Sequence, residues 1–187
     1  MKVINTRIPE VLIFEPDIIG DHRGYFYESY RQDIIEQYIG KVHFVQDNQS
    51  KSGFGVLRGL HFQIPPFSQS KLVQCLQGKV LDIAVDIRIG SPTYGVYIPV
   101  QLSEANHRQL YIPIGFAHGF VALSELAVLS YKCDNYYNPN ADGGLAWNDP
   151  EINIDWILPV QDIKLSEKDK KLPLLSQITC FKYERFD

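Results

Sequence analysis

Apolar and polar residues alternate with a period of two along most of this chain, the pattern of half-buried strands. Residues 79–88 show it most cleanly. Leu81, Ile83, Val85 and Ile87 take one face, and Asp82, Ala84, Asp86 and Arg88 take the other. Residues 95–102 repeat it with Val96, Ile98, Val100 and Leu102 in phase. Shorter strands are predicted at 11–14, 42–46, 71–77, 110–112 and 152–157, and residues 121–132 read as two strands broken near Ser124-Glu125. The polar run 47–53 reads as a solvated loop, and 113–120 as a glycine-rich turn that places His118 at a strand entry. A helical period fits 29–39, with Ser29 and Gln32 as a capping box, Ile34, Ile35, Tyr38 and Ile39 on one face, and Gly40 as the stop. A second helix start is predicted at 165–169, where Ser166 is the cap and Asp169 the capping-box acid. Short strands with turns every ~8–12 residues and few helices predict an all-β jelly roll, a sandwich or barrel with a few short helices.

One strand breaks the pattern. Residues 56–63, Val-Leu-Arg-Gly-Leu-His-Phe-Gln, have the apolar content of a buried strand yet carry Arg58 and His61. A charge on such a segment costs free energy unless it is paired, so local pattern and side-chain chemistry conflict here. A core histidine with one partner and a snorkelling arginine is the bland explanation. Strict alternation would put Arg58 and His61 on opposite faces. A bulge at Gly59 would bring them together.

Composition narrows the function classes. The 187 residues suffice for one domain, 1–187, with a real core. A net charge of −4 argues against general nucleic-acid binding but leaves room for a local basic pocket. Cys75, Cys133 and Cys180 are widely spaced without a CxxC, which fits a reducing, cytoplasmic compartment rather than a disulfide framework. Residues 1–14 include Pro9 and Glu10 and lack an apolar stretch of signal-peptide length. No apolar run approaches ~18 residues, so no membrane span is expected.

The polar residues at strand entries or within strand patterns are Arg58, His61, Lys71, Asp82, His118, Tyr131 and Asp169. None is a nucleophile in an elbow context, and no glycine-rich phosphate loop opens a helix. The set holds a base, a proton donor and cations. That suits proton abstraction beside a carbonyl with stabilisation of an enolate. Arg23 and Arg58 would suit a phosphate, and the amides of Gln46 and Asn48 a flat heterocycle. Pro113-x-Gly115-x-x-His118 resembles the second metal motif of the cupin superfamily. The first motif needs two histidines one residue apart, and here Phe62 and Gln63 follow His61. The scaffold therefore looks cupin-like, while no metal site and no cofactor are expected.

Six stretches in order carry a more specific likeness: 20–29 (GDHRGYFYES), 44–48 (FVQDN), 56–63, 112–120 (IPIGFAHGF), 135–137 (NYY) and 165–169 (LSEKD). Together they resemble the dTDP-4-dehydrorhamnose 3,5-epimerase family from about residue 4 to about residue 175. The resemblance implies epimerisation at C3 and C5 of dTDP-4-dehydro-6-deoxy-α-D-glucose through enolates. It implies His61 as general base, Asp169 as its carboxylate partner, Tyr131 as the acid on the opposite face, and Lys71 as the enolate-stabilising cation with His118 nearby. Arg58 matches a diphosphate contact. Arg23, Glu28, Gln46, Asp47 and Asn48 match nucleotide contacts, and Asp142 and Lys168 further substrate contacts. It also implies a homodimer in which the first strands cross to the other subunit, so that Arg23 and Glu28 serve the partner's site. A single-carbon epimerase, a ketoisomerase on the same scaffold, a nucleotide-sugar binding protein and a metal-dependent cupin oxygenase are the alternatives.

Overall fold

The alternating segments assemble into two facing sheets. The computed structural model describes residues 1–183, and 184–187 of the expected domain lie outside the described residues. In chain order the elements are β1 (Lys2–Asn5), β2 (Leu12–Glu15), β3 (Ile19–Asp21), β4 (Gly24–Phe26), α1 (Gln32–Ile39), β5 (Gln46–Gly53), β6 (Leu57–Gln63), β7 (Lys71–Gln77), β8 (Lys79–Asp86), β9 (Tyr97–Ser103), β10 (Gln109–Ile112), β11 (Phe116–Ala122), β12 (Leu126–Cys133) and β13 (Asp142–Gly144). A six-stranded sheet has the order β1-β2-β10-β7-β12-β5 and faces a five-stranded sheet of order β13-β6-β11-β8-β9. All named strand pairs are antiparallel. This is the cupin-like jelly roll. No helix among the described residues is long and apolar enough to cross a membrane.

Three apolar clusters hold the layers. Between the sheets lie Val73, Cys75, Ala84, Val100, Leu110, Phe120 and Leu129, with Tyr131 packed against them. Behind the five-stranded sheet, Leu57, Leu60, Leu81, Ile83, Val85 and Val121 pack on Leu145, Trp156 and Phe181. The β8 alternation is therefore real, but both of its faces are buried, Val80 and Ala84 on one side and Leu81, Ile83 and Val85 on the other. Burying each large aliphatic side chain contributes about 1.5–3 kcal/mol, and a one-residue slip would reverse every face, so the register is firmly set. Behind the six-stranded sheet, Ile35 of α1 packs on Leu12, Phe14 and Leu72.

Six local expectations change. Residues 113–120, expected as a turn, supply β11 from Phe116 onward. The helix start expected at 165–169 is a turn leading into one 3-10 turn, Asp169–Lys171, with Lys168 rather than Ser166 as N-cap. Helix α1 begins at Gln32 with Arg31 as N-cap and no side-chain cap, so Ser29 and Gln32 form no capping box; Gly40 does end it, at φ 77°. The strand predicted at 42–46 lies one segment later, because Val42 and Phe44 are drawn under α1. The expected loop 47–53 belongs to β5, which pairs with β12 along eight positions. Residues 152–157 form no strand: Asn153 and Ile157 have positive φ, while Ile152 and Trp156 are buried behind the five-stranded sheet.

The bulge expected at Gly59 is present. His61 lies opposite His118 and Arg58 opposite Phe120, so β6 has one more residue than β11 across this stretch. Leu57, Leu60 and Phe62 all face the outer cluster, leaving Arg58 and His61 on the inner face. Gly59 has φ +128°, and a Cβ there would meet Gly119 Cα at 2.5 Å and the His118 carbonyl at 2.8 Å. Gly59→Ala is expected to destabilise by about 2–4 kcal/mol from left-handed strain plus overpacking. Urea denaturation measures it; a midpoint equal to wild type would show that the β6–β11 contact relaxes freely.

Candidate active site

The inner faces of the two sheets place complementary groups across one cavity. From the five-stranded sheet come Arg58 and His61 of β6 and His118 of β11. From the six-stranded sheet come Lys71, first residue of β7, and Tyr131 of β12. Lys71 is opposite Cys133, two residues from Tyr131, so period-two alternation gives Lys71 and Tyr131 the same face. The segment 164–169 closes one side with Lys164, Lys168 and Asp169. The cavity has a volume of about 500 Å³. A second one of about 400 Å³ adjoins it, shares His61, Lys71, Tyr131 and Lys168, and adds Gln46, Asn48, Tyr137 and Asp142.

His61 and Asp169 form a dyad, with Nε2 2.7 Å from Oδ1. Asp169 is 4% exposed and Ser166 Oγ accepts its backbone N–H at 3.1 Å. Ser166 therefore tethers the backbone of the turn without capping a helix, and the Asp169 carboxylate goes to the imidazole 108 residues away in sequence. Burial lowers the His61 pKa below its ordinary 6.5; Asp169 opposes that shift, while the Lys71 and Lys168 charges add to it. The imidazole is therefore neutral at pH 7. With the carboxylate as acceptor, the ring proton lies on Nε2 and Nδ1 holds the free lone pair. His118 has its own carboxylate: Nε2 lies 2.9 and 3.0 Å from the oxygens of fully buried Asp82. Burial raises the Tyr131 pKa above 10, which keeps the phenol protonated. Burial lowers that of Lys71 from 10.5, with Cys133, Asp82 and Asp142 opposing.

These directions give a pH prediction. With the neutral imidazole acting as base, activity is expected to fall as pH drops through the His61 pKa, below 6.5. Asp169→Asn removes an interaction that raises this pKa, so the acid limb of kcat/KM should move to lower pH. The rate at neutral pH should fall about 100-fold or more, because the imidazolium formed in the reaction loses its partner. A pH–rate profile reads both; an acid limb that moves to higher pH contradicts the coupling.

The remaining expected residues divide into two groups. Gln46 and Asn48 line the adjoining cavity, joined by a 3.0 Å hydrogen bond from Gln46 Nε2 to Asn48 Oδ1. Asp142 and Lys168 are ion-paired there, and Tyr137 Oη donates to Asp142 at 3.3 Å. Arg58 is held by Ser52 Oγ at 3.0 Å and the Lys51 carbonyl at 3.2 Å. Asp47, one residue out of phase with Gln46 and Asn48, is exposed and pairs with Lys132 at 3.0 Å. Arg23 and Glu28 lie outside both cavities, bound to Asp21 at 2.7 Å and to Arg31 at 3.6 Å. Sequence reasoning had no role for Tyr137, Lys164, Ser50 or the partnership of Asp82 with His118. Asp82 left a signal as a carboxylate within a buried strand pattern, and Tyr137 as part of the Asn135-Tyr136-Tyr137 stretch.

A neutral histidine–carboxylate dyad on one wall, with a protonated tyrosine and a lysine on the other, defines an acid–base enzyme on a jelly-roll scaffold, suited to moving protons at a carbon acid. The comparisons make this specific. Residues 5–177 match the model of the family described as dTDP-4-dehydrorhamnose 3,5-epimerase, and the chain belongs to that family. A relative of that name from Salmonella typhimurium is 56% identical over 95% of this chain and 97% of its own length. One from Shigella flexneri is 55% identical over 90% and 93%. The crystal structure of the dTDP-6-deoxy-D-glucose-3,5-epimerase from Legionella pneumophila, in complex with dTDP-4-keto-L-rhamnose, is 47% identical. It covers 98% of this chain and 99% of its own, with a TM-score of 0.94.

Proposed function

We propose that this chain epimerises C3 and C5 of dTDP-4-dehydro-6-deoxy-α-D-glucose to give dTDP-4-dehydro-β-L-rhamnose. One observation carries the reading: the His61–Asp169 dyad and Tyr131 come from different walls of one cavity, in a chain of this family. C3 and C5 both flank the C4 carbonyl, so the protons on both are acidic for the same reason. His61 removes the proton from one face, and Asp169 orients the ring and stabilises the imidazolium. Lys71, with His118 beside it, stabilises the negative charge that develops on the C4 oxygen. Tyr131 delivers a proton to the opposite face, which inverts the carbon. His61 then releases its proton to solvent and the Tyr131 phenolate takes one up, which resets both groups for the second carbon. Arg58 and Lys168 offer cations to the diphosphate, and Gln46, Asn48 and Asp142 offer polar contacts to the rest of the substrate.

The reading includes a homodimer. The β3–β4 hairpin leaves Ile19 and Phe26 about two-thirds exposed, at 69% and 66%, an apolar surface that a second copy would cover. Arg23 and Glu28 then reach the partner's cavity, and Asp47 acts through the nucleotide-binding edge of β5. A cytoplasmic location goes with it, since Cys75, Cys133 and Cys180 are all free thiols.

The test is product configuration. Purified protein is incubated with dTDP-4-keto-6-deoxy-D-glucose, and the product is trapped with a 4-ketoreductase and analysed as the free sugar. L-rhamnose supports inversion at both carbons. A sugar inverted at one carbon assigns a single epimerase instead.

A further inference from the structure

Strand β5 presents a ladder of polar side chains to the inner face. Its register with β12 sets Gln46 against Cys133, Asn48 against Tyr131 and Ser50 against Leu129, and Cys133, Tyr131 and Leu129 all point inward. Period two adds Ser52 to the same face. Three rungs are satisfied within the chain. Gln46 donates to Asn48 at 3.0 Å, Asn48 donates to Cys133 Sγ at 3.6 Å, and Ser52 Oγ accepts from Arg58 at 3.0 Å. Ser50 is not. Its Oγ is buried and hydrogen-bonds to nothing among the described residues. Of the three side-chain polar atoms in that condition, at Ser50, Ser68 and Gln109, only Ser50 lines the cavity with His61 and Tyr131.

A buried polar atom without a partner costs free energy, and one in the wall of a ligand cavity is accounted for when the ligand supplies the partner. We propose that Ser50 is a further substrate-binding residue, its hydroxyl hydrogen-bonding an oxygen of the hexosyl diphosphate in this cavity. This rests on the function proposed above. Ser50 lies between Asn48 and the Arg58–Ser52 pair, and Arg58 and Lys164 line the same cavity, so oxygens of both the sugar and the diphosphate are within the chemistry it recognises. Rotation about χ1 moves the hydroxyl among its staggered positions without disturbing the strand.

The experiment compares wild type with Ser50→Ala. Binding of dTDP and of dTDP-glucose is measured by calorimetry, epimerisation by steady-state kinetics, and the melting temperature without ligand. Removing an unsatisfied hydroxyl leaves the free protein as stable as before or more so. KM and Kd should rise about 3- to 30-fold with kcat within about twofold of wild type. Weaker binding of both ligands assigns the bond to the diphosphate, and weaker binding of dTDP-glucose alone assigns it to the hexose. Unchanged KM and Kd overturn the proposal, as does a lower melting temperature with unchanged KM, the mark of a structural role. A wild-type protein that itself fails to bind dTDP and to epimerise would sink the functional reading. Wild-type binding with an indifferent Ser50→Ala overturns Ser50 alone.

Discussion

His61→Asn should lower kcat by about 10²–10⁴, the usual worth of a positioned general base. Tyr131, across the cavity, is held protonated by burial and does not replace it as a base. Exchange at C3 and C5 should fall together, because one base on one face of the ring serves both carbons. The variant also leaves the carboxylate of Asp169, 4% exposed, without its imidazole partner, so a stability loss of about 1–3 kcal/mol accompanies the kinetic one. Circular dichroism and urea denaturation separate that loss from unfolding. A folded His61→Asn enzyme with most of its activity would move the base elsewhere.

Tyr131→Phe carries the second large effect. Burial keeps the phenol protonated at neutral pH, and its hydroxyl has no hydrogen-bond partner among the described residues. The ring packs against the inter-sheet cluster. Phenylalanine therefore keeps the packing and removes only the proton donor, so stability should stay near wild type. Net inversion should fall about 10²- to 10³-fold. Exchange of the substrate α-proton with solvent should fall much less, since His61 both removes and returns protons on its own face. Equal loss of inversion and exchange would contradict a role for Tyr131 in delivering the proton to the opposite face.

The legibility of this chain in its sequence follows from where hydrophobic period carries information. Strands β7, β8 and β9 were readable because each has at least one face in a dry cluster, whereas the glycines of 113–120 hid most of β11 behind a turn pattern. Strand β5 was not: its inner face, Gln46 to Ser52, lines a polar cavity and its outer face meets solvent, so nothing in Gln-Asp-Asn-Gln-Ser-Lys-Ser-Gly alternates in hydropathy. The misplaced strand at 42–46 is the same error seen from the other side, since its apolar residues answer to α1 rather than to a sheet. Residues 152–157 alternate because two side chains anchor an irregular segment, a pattern that a strand shares. The conflict within β6 was a true signal, and Gly59 was the right place for its resolution. Asp169 was legible as a catalytic partner only through family likeness. Locally it is an ordinary helix-start acid, and the contact that gives it a role joins residues 108 apart. Ser50 shows the same limit, because a buried hydroxyl without a partner is a property of the packed structure.

On this mechanism one cavity exchanges the protons on both sides of a single carbonyl. The direct measurement is NMR of dTDP-4-keto-6-deoxy-D-glucose incubated with the protein in deuterated water. Deuterium is expected at C3 and at C5 with the wild type, and at neither with His61→Asn. Deuterium at one carbon alone, or exchange at both that survives in His61→Asn, would contradict it.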